Sequence, residues 1–339
     1  MRGLRMLGVA AVALAVGLVG ASSSFASQDD VYTSYTQPSN ALVMPFDASN
    51  NRQSFFVVSN LGGFSNFGNQ TLAGVTTHWS YWSENCDHLA DVYACLTLND
   101  TVVVDPTDIR SVDAANQVYG PSINLSGKQG FVVVTAYETG PECGDASYAG
   151  YKPVDNAIVG TYTLADTTSG ASLGADAIGL GLHDEAADPS GSGVHTELPE
   201  ITTDAIDIQT FRPDSLDLSA VILLSLKEHA GSGATSFVEV GPNNKTITTS
   251  VTYYDNTETA TSLPDAEVNC AEFNTLTPGT GNLIPGTVSG LSAGIFRMGS
   301  FEPNIGGDTG RWIYAVYGQA VGRFGAGSNG KYRVLGSNQ

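Results

Sequence analysis

Two serines lie in the Gly-x-Ser-x-Gly spacing that presents a nucleophile on a sharp strand-to-helix turn: Ser172 within Gly170–Gly174 and Ser292 within Gly290–Gly294. His183 or His195 would be the base for Ser172, but a histidine so soon after the serine departs from the usual chain order of such hydrolases. With 39 glycines in the chain the spacing arises readily by chance, and neither serine ends a buried strand that feeds a long helix. The sequence therefore assigns no catalytic residue.

The densest titratable group is His183-Asp184-Glu185-Ala186-Ala187-Asp188, followed by His195, Glu197 and Glu200. Carboxylate oxygen suits calcium, which makes Asp184, Glu185 and Asp188 weak calcium candidates, with Asp105 and Asp108 a second weak pair. There is no HExxH and no DxDxDG loop, and Pro189-Ser190-Gly191-Ser192-Gly193 would not hold ligands in place. A solvated acidic linker without a cofactor is the expectation, with Ca2+ the ion to test. Histidine and cysteine also gather at His78, Cys86, His88 and Cys95, but in no closed zinc spacing.

Four cysteines in an exported chain imply two disulfides. Cys86 and Cys95 flank a short polar stretch between strand-like runs and are expected to bridge a hairpin mouth, leaving Cys143 to pair with Cys270. Trp79 and Tyr81 alternate with Trp82, so they share one strand face. They are candidate ligand-binding residues if that face is exposed, as a platform stacking on sugar rings, and core residues if it is not.

Export is read from the first 26 residues: Arg2 and Arg5, an uncharged apolar run from Met6 to Gly20, and a small-x-small site at Ser24-Phe25-Ala26. The apolar run falls short of the roughly 20 residues a membrane helix needs, so residues 1–26 are expected to be a cleaved signal peptide, leaving no transmembrane span. The full chain of 339 residues carries 34 acidic against 14 basic side chains, a net −20; loss of Arg2 and Arg5 leaves 12 basic residues and −22. Such a surface repels phosphate backbones and disfavours nucleic acid as a partner. Charged residues are only 14% of the chain, too few for a coiled coil or a disordered acidic tail.

Positioning any site falls to strands. Short runs of alternating or continuous apolar residues, bounded by Gly, Asn, Asp, Ser or Pro, recur along the chain. In the first half they are 41–46, 54–59, 74–82, 91–98, 101–104, 130–138 and 157–164, with Asn99-Asp100 a hairpin signal. In the second half they are 206–211, 220–226, 236–240, 246–254, 268–276, 294–299 and 312–321. Only 171–182 carries a faint helical stripe. Thr76–Tyr81 and Thr248–Tyr253 are locally alike, a weak internal duplication.

Seven short strands per half resembles the immunoglobulin-like sandwich in strand count alone. The expected organisation is all-β: a signal peptide (1–26), an N-terminal β-sandwich (27–165), an acidic Gly-rich linker (166–200) and a C-terminal β-sandwich (201–339). Thr, Ser and Asn on the polar faces, with only five lysines to guard edges, suit contact with other chains. Pro38, Pro45 and Pro153 are the other edge guards. The expected function is a non-enzymatic, disulfide-bonded surface, adhesive or structural protein, secreted or at the cell surface, whose partners are other surface proteins, itself or glycan. A carbohydrate-binding module is the alternative, and a secreted hydrolase the third reading.

Overall fold

β-branched and aromatic residues that alternate with Ser and Thr fill a pleated surface well, and the chain follows that preference. The structure is a computed structural model describing residues 38–62, 74–107, 118–119, 123–138, 154, 157–167, 172–180, 206–210, 217–230, 238–242, 247–255, 257–275, 294–299, 311–321, 328–329 and 331–334. In chain order the first half forms β1 (Ala41–Asp47), β2 (Arg52–Asn60), β3 (Gly74–Ser83), β4 (His88–Thr97), β5 (Thr101–Val104), β6 (Val118–Tyr119), β7 (Gln129–Glu138), β8 (Ile158–Asp166), β9 (Ser172–Asp176) and β10 (Ile178–Leu180). The second half forms β11 (Ile206–Thr210), β12 (Asp217–Ala230), β13 (Val238–Pro242), β14 (Ile247–Asp255), β15 (Ala260–Val268), β16 (Ala271–Thr275), β17 (Gly294–Gly299), β18 (Arg311–Val321), β19 (Ser328–Asn329) and β20 (Lys331–Val334). There is no helix among the described residues.

The strands make four sheets. Sheet I runs β10-β1-β7-β3-β4-β6 and sheet II runs β19-β9-β8-β2-β5. Sheet III runs β11-β17-β14-β15, and sheet IV runs β13-β12-β18-β20 with β16 also on β12. Pairing is antiparallel except where Ser328 of β19 lies parallel to Leu173 of β9. Sheets I and II face each other across a core in which Phe56 of β2 meets Trp79 and Tyr81 of β3, with ring centroids 6.3 and 6.4 Å apart. Phe46 of β1 closes edge-on against Tyr81 at 6.0 Å. Two buried asparagines tie the chain between strands. The Asn40 amide donates to the Ala136 and Val154 carbonyls, and that of Asn60 to the Leu96 and Thr97 carbonyls.

The central strands of sheet I, β1, β7 and β3, are buried on both faces. Every residue of β1 is buried, and so is β3 from Val75 through Tyr81. A central strand covered twice needs a second layer, and alternate residues of β12, Ile222, Leu224 and Leu226, join the same buried cluster together with Cys270 and Ala271. The Ala271 amide reaches the Glu84 carbonyl at the β3–β4 turn. Gly130 of β7 passes so close to the Trp82 carbonyl that any side chain would collide with it.

Several expectations change here. Residues 172–180, read as the start of a linker with a faint helical stripe, form β9 and β10, pairing with β8 and β1. Alternation of Leu173, Ala175 and Ala177 with small residues also fits a strand, and neighbours decided the conformation. Asn99 does adopt the left-handed turn conformation, with φ 63°, and the Asp100 amide bonds the Thr97 carbonyl. The turn nevertheless makes no hairpin, because β4 belongs to sheet I and β5 to sheet II. The run at 246–254 forms β14, an interior strand flanked by β15 and β17. Its neighbour β15 is the edge, and its polar text hid it from the sequence reading.

Candidate functional site

Register places the histidines. On the β3–β4 hairpin His78 lies opposite Tyr93, and Ser80 opposite Asp91. The imidazole of His78 stacks on Tyr93 at 4.9 Å and 13° between planes. His78 Nε2 and His88 Nε2 meet the same Asp91 oxygen, Oδ1, at 3.1 and 2.9 Å. His78 is buried, whereas His88 is exposed and packs against Trp82 at 4.8 Å. Burial pushes the Asp91 carboxyl up, but the hydrogen bonds and charge of His78, and then of His88, outweigh it and hold the group at about 2. One carboxylate thus orients one buried and one exposed imidazole. This arrangement positions rings, and no group of three or more His, Cys, Asp and Glu among the described residues is disposed to hold a metal ion.

The zinc quartet of His78, Cys86, His88 and Cys95 dissolves because both thiols are spent in disulfides. Cys86 bonds Cys270, with Cα atoms 5.2 Å apart and 184 residues between them in sequence. The expected pairs Cys86–Cys95 and Cys143–Cys270 are therefore corrected. Cys86 sits in the β3–β4 turn with φ 69°, whereas Cys95 lies down β4 opposite Thr76. Seven residues of strand from His88 to Cys95 span roughly 23 Å, far beyond disulfide reach. Cys95 is disulfide-bonded as well, and Cys143 lies outside the described residues.

Trp79 and Tyr81 form no exposed platform. Both are fully buried between sheets I and II. The Trp79 indole donates to Thr77 Oγ1 at 2.9 Å, and Thr77 Oγ1 donates to the Ala94 carbonyl. Burial, and then the charge of Asp105, push the Tyr81 hydroxyl well above its ordinary range. Ser172 opens β9 opposite Ala165, with β8 beside it rather than a helix behind it, so the nucleophile-elbow setting is not met. Ser292, His183, His195, Asp184, Glu185, Asp188 and Asp108 lie outside the described residues.

What the sequence reading missed is the outward face of sheet II. Cross-strand register puts Val103, Val57, Thr161 and Asp176 in one row across β5, β2, β8 and β9, with Phe55 and Thr163 in the next. Thr161 and Val103 are exposed, while Phe55, Val57 and Thr163 are half-buried. No cation lies among these residues, and partial burial pushes the Asp176 carboxyl up. The alternation of β5, with Val102 and Val104 inward and Thr101 and Val103 outward, was the available signal. No protein-family model matches the chain, and no curated protein matches it.

Proposed function

We propose that this chain is an exported, non-enzymatic surface protein that works by adhesion or assembly, built as tandem immunoglobulin-like sandwiches behind a signal peptide. The observation that carries this reading is the outward face of sheet II. On a chain of net charge −20 it offers a flat row of Val, Thr and Phe with one carboxylate and no cation. Like charges oppose contact across the rest of such a surface, whereas a neutral pleated face is desolvated at little cost. The glycan reading is weakened, since its aromatic pair, Trp79 and Tyr81, is core. A hydrolase at Ser172 is weakened by the strand setting of that residue.

The test places two cations on the open face. The mature chain carrying Thr161→Lys and Thr163→Lys keeps its core, because both side chains point away from the sheet I interface. Its adhesion to the source cell surface, or its self-assembly by sedimentation, is expected to fall at least tenfold. Unchanged adhesion and assembly overturns the reading, as does a hydrolytic activity that disappears in Ser172→Ala.

A further inference from the structure

Each sheet edge presents unpaired backbone groups, and this fold blunts its edges unequally. Along β1, β10 pairs only Ala41–Val43, and the strand beyond carries Pro45, which has no N–H to offer. On β15 a bulge opposite Thr249–Val251 contains Pro264, and Asp265 and Glu267 are exposed beside it. The edge strand β5 has neither proline, bulge nor charge within Thr101–Val104, and among the described residues it pairs only with β2. The exposed large hydrophobic side chains of the described residues flank or belong to this strand: Leu61 at 47% and Leu98 at 45% beyond its Thr101 end, and Val103 at 55% within it. Leu98 lies against Gly62, where a Cβ would stand 2.6 Å from its Cδ1.

The Thr101 end of β5 is held in place by its neighbours. Asn60 donates to the Leu96 and Thr97 carbonyls and accepts from the Gly62 amide, and its own amide bonds the Asp100 carbonyl. Two carboxylates bracket the strand, each fixed by a local turn. Asp100 accepts from the Thr101 amide and Asp105 from the Thr107 amide and hydroxyl. A second copy pairing antiparallel on β5 would set Asp100 against Asp105 at both ends, and like charges directly opposite are destabilising. The charge pattern therefore selects a different occupant.

We infer that β5 receives an added strand from a partner protein: an extended segment with four β-branched or apolar residues between two Lys or Arg side chains five positions apart. The backbone of Thr101–Val104 supplies the ladder, Val103 with Leu98 and Leu61 supplies the apolar contact, and Asp100 and Asp105 pair the two cations. This inference rests on the adhesive reading above and names the partner chemistry at one edge of the same sheet.

The test uses the mature chain and a fluorescein-labelled peptide, Lys-Thr-Val-Thr-Val-Lys with capped ends, against the same peptide with Glu at both ends. The basic peptide is expected to bind and to protect from exchange the Thr101 and Val103 amides, which alternate with those facing β2, with the Glu-ended peptide about tenfold weaker, as two cross-strand pairs change from attraction to repulsion. Val103→Lys is expected to abolish that protection, and Val103→Thr, which keeps the strand preference, to retain it. Equal binding of the Glu-ended peptide, full binding by Val103→Lys, or the same protection on concentrating the chain alone overturns the inference. Adhesion that is lost in the Thr161→Lys, Thr163→Lys chain but kept without peptide protection removes this inference and leaves the adhesive reading standing. Hydrolysis that depends on Ser172 removes the adhesive reading and this inference with it.

Discussion

The outward faces of sheets I and II start from similar strand text and end in opposite environments. On sheet I that face carries Thr76, His78, Ser80 and Thr135, all buried, beside Val43, Val133 and Phe131. On sheet II it carries Phe55, Val57, Thr161 and Val103, half-buried or open. The first is covered, with β12 residues in the same buried cluster and the Cys86–Cys270 bond tying the β3–β4 turn to the start of β16. The contrast shows that polarity alone does not decide which face meets solvent. His78 tolerates burial because Asp91 and Tyr93 give it partners, while Val103 lies on the outward face of β5, whose inward Val102 and Val104 are buried.

The strongest way to break the contrast is to cut its tether. Replacing Cys86 and Cys270 together by Ser removes a cross-link over 184 residues, a loss of about 5 kcal/mol in the chain-entropy account. Denaturant midpoints of the two chains measure it, and an unchanged midpoint would mean that the covering layer holds without the bond. Phe56→Ala comes next, because its ring is the link between Trp79 and Tyr81 across the sandwich. A loss of about 3–5 kcal/mol is expected in the same titration.

Asn60→Ala tests the open side more finely. It strands the Leu96 and Thr97 carbonyls and the Gly62 amide, for a loss of about 1–3 kcal/mol and faster exchange through β5. A pH titration tests the covered side. Asp91 is depressed in the folded state from 3.8 to about 2, so its contribution is full above about pH 4 and is lost as pH falls towards 2. Asp91→Asn should remove that part of the acid sensitivity, read as the difference between melting temperatures at pH 5 and pH 2. The smallest effect belongs to Val103→Lys: stability within about 0.5 kcal/mol, since the residue is exposed.

Much of the strand order was legible. The runs at 41–46, 54–59, 74–82, 101–104, 130–138 and 294–299 reappear within a few residues in β1, β2, β3, β5, β7 and β17. They were legible because period-two apolar text bounded by turn residues is a local property. β15 was not, because an edge strand carries Pro264, Asp265 and Glu267 where an interior strand carries apolar residues. The His78–Asp91–His88 cluster was missed for a related reason. Its members are 13 and 3 residues apart, and only the hairpin register, with its bulge between Tyr81 and Trp82, turns both imidazoles onto one carboxylate.

The cysteine pairing marks the division most clearly. The even count of four fixed the presence of disulfides from the sequence alone, as the alternation of Trp79 and Tyr81 fixed their common face and the paucity of charge fixed a surface poor in lysine. Which thiols meet, whether that aromatic face looks inward, and which edge lacks a guard were decided by the tertiary structure. Composition and periodicity act within a few residues, where backbone sterics and side-chain alternation determine strand formation. Pairing across 184 residues, the covering of one sheet face and the exposure of another depend on which layers pack together, and that is a property of the whole chain.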